Sequence, residues 1–147
     1  MGSPKKRSHR LFIDSSVLFA AALSPSGGSF RLLREARERN IKLFITPYVI
    51  GEVDEGLRNR YPEALEIFRS FLIHFPIHLM RNPSASRVYE CANILPWEDA
   101  PILAGAITTK ANHLITLDKK HFLIPLKKQK LTVEILTPGD FIKKYFV

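Results

Sequence analysis

The sequence predicts an α/β domain built on a largely parallel sheet. The pattern that predicts it is alternation: short apolar runs alternate with longer amphipathic ones along the chain. No internal repeat, low-complexity tract or interdomain linker interrupts the alternation, and 147 residues leave little room for a second domain.

The elements follow in order. Arg10-Leu11-Phe12-Ile13 reads as a buried strand ending at Asp14, and Val17–Leu23 as a short helix stopped by Ser24-Pro25-Ser26-Gly27-Gly28. From Ser29 to Asn40, Phe30, Leu32, Leu33 and Ala36 fall near helical spacing, with charged residues between them. Ile41–Ile45 is the second strand. Thr46-Pro47 opens a helix with a hydroxyl cap and a first-turn proline, and Val49, Ile50, Val53 and Leu57 form its apolar stripe. Tyr61-Pro62 breaks the chain before a helix over Glu63–Ile73, and Ile77–Met80 is a third strand between prolines. Ser84 caps a helix running to Leu95, Asp99–Lys110 is a helix, and Leu114–Leu117 and Leu131–Leu136 are the last two strands. Thr137-Pro138 starts a terminal helix that ends near Tyr145.

Composition narrows the class. Hydrophobic residues at 46% and charged residues at 24% describe a folding chain rather than a disordered one. The longest apolar runs, such as Val17 to Leu23, are too short to cross a bilayer, and no signal-peptide layout follows the basic start. One cysteine, Cys91, excludes an internal disulfide and a cysteine-based zinc cluster, so a cytoplasmic protein with no membrane partner is expected. Twenty-two basic residues against 14 acidic give a net charge of +8, which favours polyanions such as nucleic acid. Lys5, Lys6, Arg7 and Arg10 lie in the first ten positions. Residues 1–9 are expected to be a basic flexible tail or an expression remnant, and residues 10–147 a single domain.

In a right-handed βαβ unit, strand C-termini and helix N-termini meet at one edge of the sheet, where open α/β folds bind ligands. That rule sorts the acids. Asp14 and Asp118 follow strands, Asp99 starts the helix leading to the fourth strand, and Glu52 lies in the first two turns of the helix opened by Pro47. Gathered among Phe12, Ile13, Val49, Val53, Ile102 and Leu117, four such anions repel one another unless a cation neutralises them. A hard divalent ion does this, and Mg²⁺ or Mn²⁺ suits carboxylates and water. Each residue alone has a plainer reading: Asp99 as an N-cap, Asp14 and Asp118 as turn formers, Glu52 as a helix surface residue. Their convergence on one edge decides for the metal. Glu55, one turn beyond Glu52, is a substitute for it, and Asp140 at the last helix serves the helix dipole.

The segments Leu11–Leu18, Ile45-Thr46-Pro47 through Glu52-Val53, Glu98-Asp99 with Ile102–Ala106, and Leu114–Asp118 with Phe122 together resemble a PIN domain, a fold of metal-dependent ribonucleases. The resemblance spans about residues 10 to 143 and keeps the family order. It implies a three-layer α/β/α architecture with a central, mostly parallel five-stranded sheet of order 3-2-1-4-5, placing Asp14 and Asp118 on neighbouring strands about 4.8 Å apart. It also implies that Asp14, Glu52, Asp99 and Asp118 form the catalytic, metal-holding set, supported by Ser16 and Thr116. Family members commonly carry Thr-Asn after the first aspartate where this chain has Ser15-Ser16, so an orienting amide is missing. The implied activity is Mg²⁺- or Mn²⁺-dependent endoribonuclease cleavage of RNA, and small stand-alone members resemble the toxin of a toxin–antitoxin pair. A homodimer and a cognate antitoxin are the partners that go with that resemblance.

Lys110, Lys119 and Lys120 are the candidate RNA phosphate contacts at the same edge, and His121 is within reach of the site but reads first as a turn or surface residue. The alternative function is a non-catalytic nucleic-acid-binding or protein-interaction module of the same fold. An aspartyl-phosphate phosphatase needs a second aspartate where Ser16 stands, and a receiver domain needs paired acids at the first strand, where Arg10–Ser16 contains only Asp14. No nucleophile elbow, P-loop or dinucleotide fingerprint is present.

Overall fold

Five short strands, β1 (Arg10–Ile13), β2 (Lys42–Ile45), β3 (Ile77–Leu79), β4 (His113–Ile115) and β5 (Glu134–Leu136), pair in parallel throughout, in the order β3-β2-β1-β4-β5. The computed structural model describes residues 9–126 and 129–146. β1 is central: Leu11 lies opposite Leu43 on one side and His113 on the other, and Phe12 opposite Phe44 and Leu114. Leu11, Phe12, Ile13, Leu43, Ile45, Leu114 and Ile115 are wholly buried, as continuous apolar strands covered on both faces should be.

The helices form the outer layers. α1 (Ser15–Leu23), α2 (Gly28–Glu38), α3 (Pro47–Arg60), α4 (Leu65–His74) and α7 (Pro138–Tyr145) pack together through α1 and α2. α5 (Ala85–Ala92) and α6 (Ala100–Thr108) form a second group, α6 lying on β1 and β4. α1 buries Val17, Leu18, Ala21 and Ala22, and α2 buries Leu32, Leu33 and Ala36 while its charges face outward. A single 3₁₀ turn, Pro62–Ala64, separates α3 from α4, where the Tyr61-Pro62 break was expected. The expected cap at Ser84 is present, its hydroxyl accepting from the Arg87 N–H.

Two helices reverse by the same device. α2 ends with Asn40 at φ 55° and α6 with Lys110 at φ 57°, both left-handed. The Ile41 N–H bonds the Ala36 carbonyl at 2.9 Å, and the Ala111 N–H bonds the Ala106 carbonyl at 3.0 Å. Bonds from Asn40 to Arg37 and from Lys110 to Ile107 complete two Schellman-type ends, which satisfy the last carbonyls and turn the chain into β2 and β4.

Most element boundaries differ from the sequence expectation by one to three residues, and three of them bear on the sheet and its neighbours. The fourth strand runs His113–Ile115 rather than Leu114–Leu117: the Thr116 N–H still reaches the Leu136 carbonyl at 3.0 Å, but its hydroxyl donates to Asp14 and accepts from the Asp118 N–H, which turns the chain there. Leu117 is consequently 44% exposed. The fifth strand is Glu134–Leu136 rather than Leu131–Leu136, since β4 offers partners only from His113 onward. The fifth helix ends at Ala92 rather than Leu95. Residues 1–8 of the expected tail lie outside the described residues; His9 packs its ring against His113 and Tyr145, so the ordered domain includes it.

Candidate active site

All four carboxylates singled out in the sequence line one open cleft of about 460 Å³ at the carboxyl edge of the sheet. Asp14 is delivered by β1: its N–H extends the ladder to the Ile115 carbonyl at 3.0 Å, while its side chain is 5% exposed. Glu52 comes from the second turn of α3, three residues after the buried Val49. Asp99 stands at the start of α6, and Asp118 two residues after Thr116.

The carboxylates form two linked pairs. Ser15 Oγ lies 3.0 Å from Glu52 Oε1 and 3.3 Å from Asp14 Oδ1, bridging the first pair. His121 Nδ1 lies 2.6 Å from Asp118 Oδ2 and 3.8 Å from Asp99 Oδ2, bridging the second. Ser16 Oγ and Thr116 Oγ1 each donate to Asp14 Oδ2 at 2.7 Å, so both expected supports do touch it. Ser16 Oγ also accepts the Leu117 N–H at 3.1 Å, tying α1 to the loop after β4. Two hydroxyls thus orient Asp14 where relatives commonly carry an amide.

The plainer readings separate here. Asp99 occupies the N-cap position but its carboxylate caps nothing, and it accepts no hydrogen bond among the described residues although its side chain is only 19% exposed. Asp118 does act as a turn former, since its Oδ1 accepts the His121 N–H at 3.0 Å and its side chain heads a short π-helical turn, Lys119–Leu123. That role leaves it in the cleft as well.

Electrostatics agree with crowded anions. Burial pushes the Asp14 carboxyl above its ordinary range, against the hydrogen bonds of Thr116 and Ser16 that pull it down. Burial also raises Glu52, opposed by Ser15 and reinforced by the charges of Asp14 and Asp99. Asp99 is raised by burial, opposed by His121 and reinforced by Asp118 and Asp14. The field reaches Tyr48, whose phenol donates to the Glu98 carbonyl at 2.9 Å; burial and then the charges of Glu52 and Asp99 push it up to about 12. Asp14 and Glu52, both raised first by burial, with Asp118 and an undonated Asp99 beside them, make a donor set suited to a hard divalent cation. Asp99, Asp118 and His121 also bring ligand atoms within 4.8 Å of one another.

Lys110 requires correction. It follows the last turn of α6, and its carbonyl accepts from the Arg10 guanidinium at the beginning of β1. It therefore sits at the opposite edge of the sheet, because nine helical residues carry the chain about 14 Å from Asp99. Lys119 and Lys120 stay at the carboxyl edge and are exposed. Glu55 is exposed and does not line the cleft, and Asp140 is exposed in the first turn of α7.

Sequence reasoning misses two groups and undervalues a third. Ser15 escapes it because a serine beside an aspartate carries no pattern of its own. His121, within reach of the site but read first as a turn or surface residue, stands three residues from Asp118, a spacing that permits a turn contact. Arg60, which also lines the cleft, lies eight residues after Glu52, and that helical spacing was a usable signal.

A family model described as PIN domain matches residues 10–120. This chain belongs to the PIN-domain family. Its PIN fold is shared with PAE2754 from Pyrobaculum aerophilum, with a TM-score of 0.65 at 21% identity over 92% of this chain and 89% of that one. VapBC2 from Rickettsia felis, solved bound to a DNA fragment from its promoter, gives a TM-score of 0.62 at 17% identity over 86% and 96% of the two chains. Mycobacterium tuberculosis VapC20, described as a sarcin-ricin loop cleaving toxin, gives 0.56 at 12% identity over 75% and 91%. Comparison with curated proteins yields no match. Among the described residues of this PIN domain, no helix is long and apolar enough to cross a membrane.

Proposed function

We propose that this PIN domain is a Mg²⁺- or Mn²⁺-dependent endoribonuclease, acting as the toxin of a toxin–antitoxin pair. The observation that carries the reading is the convergence of Asp14, Glu52, Asp99 and Asp118 in one cleft. Asp14, with Ser16 and Thr116 fixing its orientation, and Glu52, Asp99 and Asp118 would hold the ion. When bound, a divalent ion supplies a water of lowered pKa and charge stabilisation at a phosphodiester. Thr116 and Ser16 keep one oxygen of Asp14 hydrogen-bonded, leaving Oδ1 turned towards Ser15 and Glu52. Ser15 holds Glu52 against the repulsion of its neighbours. Lys119 and Lys120, exposed directly after Asp118 in the chain, would offer two ammonium groups to RNA phosphates.

The toxin role draws on similarity to VapC20, described as a toxin, and to the VapBC2 complex. It brings a homodimer and a protein antitoxin as partners. A non-catalytic module would gain nothing from an undonated Asp99 beside Asp118, which favours the enzyme.

The test is cleavage of labelled single-stranded RNA with Mn²⁺, Mg²⁺ or EDTA. Cutting is expected with either metal, none with EDTA, and a loss of about a thousand-fold in Asp99→Asn. Absence of both cutting and calorimetric Mn²⁺ binding would favour the binding module, and cutting that survives Asp99→Asn would place the site elsewhere. Replacing Lys119 and Lys120 by alanine together should weaken RNA binding and flatten its salt dependence; an unchanged slope removes them from the interface.

His121 gives a second expectation. Its imidazole and backbone both orient Asp118, so His121→Ala should weaken Mn²⁺ binding about ten-fold in a calorimetric titration. An unaltered dissociation constant would show that Asp118 needs no such support.

A further inference from the structure

Arg60 ends α3 on the face that carries Glu52 and Gly56, at successive spacings of four residues. Gly56 makes room for the ring of Phe19 that lies across it: a Cβ there would meet Phe19 Cε2 at 3.2 Å. The Arg60 guanidinium in turn lies over the Phe19 ring, 4.9 Å from its centroid, and Tyr61 meets the same ring edge-on at 6.0 Å. Phe19 and Arg60 both line the cleft that contains the four carboxylates.

Neighbouring arginines differ in their partners. Arg58 and Arg69 pair with Asp54, Arg39 with Glu35 and Arg87 with Glu90. Arg60 makes no ion pair among the described residues, although it shares a cleft with four acids. A guanidinium held over an aromatic ring without an ion pair keeps N–H donors available, and that fork matches a phosphate. The ring also restrains a side chain that would otherwise sample many rotamers, lowering the ordering cost on binding.

We infer that Arg60 is a positioning residue that grips an RNA backbone phosphate adjacent to the one at the carboxylates, and that Phe19, admitted by Gly56, holds it in place. The inference rests on the nuclease reading above and adds to it the cation that draws a polyanion into an acidic cleft. Arg60 sets where the strand lies along α3; it takes no part in the chemistry at the scissile phosphate.

The experiment measures binding of a labelled single-stranded RNA oligonucleotide across a salt series, in the Asp99→Asn background so that the RNA stays intact. Adding Arg60→Gln should weaken binding about five-fold at 0.1 M salt and make the log–log salt slope shallower by about 0.7, the value of one phosphate contact on a single strand. Arg60→Lys, which keeps the charge, should retain the slope. In the otherwise unaltered enzyme, Arg60→Gln should raise KM and leave kcat nearly unchanged. If the enzyme cleaves RNA while Arg60→Gln leaves affinity, slope and KM as they were, the inference is overturned and the nuclease reading stands. If the unaltered protein neither cleaves nor binds RNA in a salt-dependent way, the nuclease reading falls and this inference with it.

Discussion

Asp14→Asn is expected to abolish metal-dependent RNA cleavage and, in the metal-free protein, to raise the melting temperature. The loss should be about a thousand-fold or more, because Asp14 is the most buried of the four carboxylates and replacing it removes one anionic ligand. The gain in stability follows from the hydrogen-bond geometry. The Asn carbonyl can take the place of Oδ2 and accept from Ser16 and Thr116, while its amide donates to Ser15 Oγ, which still donates to Glu52. The side-chain bonds are kept, and a buried anion disappears from beside Glu52 and Asp99.

The pH dependence has a definite sign. Burial raises Asp14 in the fold above its unfolded value, so the folded state binds the proton more tightly and stability falls as pH rises through that window. The Asn variant should therefore be the more stable at neutral pH, by about 2–6 °C for a gain of roughly 0.5–2 kcal/mol. The difference should close in acid, below the ordinary carboxylate range, where both side chains are neutral. Thermal melts at both pH values, without metal and with Mn²⁺, read this directly. A lower melting point for Asp14→Asn at neutral pH would mean that the carboxylate is satisfied in the apo fold. An excess of Mn²⁺ at about a hundred times its dissociation constant should add about 2.7 kcal/mol to the unaltered protein and far less to the variant.

Much of the site was legible because the fold rule is geometric. A carboxylate after a parallel strand, or at the start of the following helix, has only one edge to occupy, so Asp14, Glu52, Asp99 and Asp118 could be gathered without coordinates. The strands were legible for a related reason: Leu11–Ile13 and Leu43–Ile45 are apolar on both faces, and only a covered parallel strand tolerates that. What failed depended on side-chain hydrogen bonds or on distance along a helix. Thr116 reads as a β-branched strand residue, yet its hydroxyl serves Asp14 and Asp118 and ends β4 early. Lys110, expected near the carboxyl edge, is carried by the length of α6 to the opposite edge of the sheet. Ser15, His121 and Arg60 act through contacts between elements, namely a bridge to α3, a bridge to α6 and a stack on Phe19. The spacings of Arg60 from Glu52 and of His121 from Asp118 hint at two of these contacts, but a single sequence does not encode the partner on the other element.

Gly105→Ala carries the other large expected effect, and its sign opposes the usual helix rule. A glycine inside a helix normally gains about 0.5–1 kcal/mol on replacement by alanine. In α6 the added Cβ would meet Phe12 Cζ at 2.7 Å and Cε2 at 3.0 Å. Phe12 is fully buried on the central strand and flanked by Phe44 and Leu114 in the ladder, so neither its ring nor its backbone has room to retreat. Overpacking of this kind costs about 1–3 kcal/mol, a fall of roughly 3–9 °C in melting temperature at this size. The contact also spaces two parts of the cleft, since β1 delivers Asp14 two residues after Phe12 and α6 begins at Asp99. Mn²⁺ affinity should therefore drop further than the folded fraction does. Trimming the ring with Phe12→Leu in the Gly105→Ala background should recover part of both losses, because the atoms that clash are those at the end of the ring. A melting temperature that rises in Gly105→Ala alone would show that α6 can lift away from β1, and the spacing between Asp14 and Asp99 would then be set by something other than this contact.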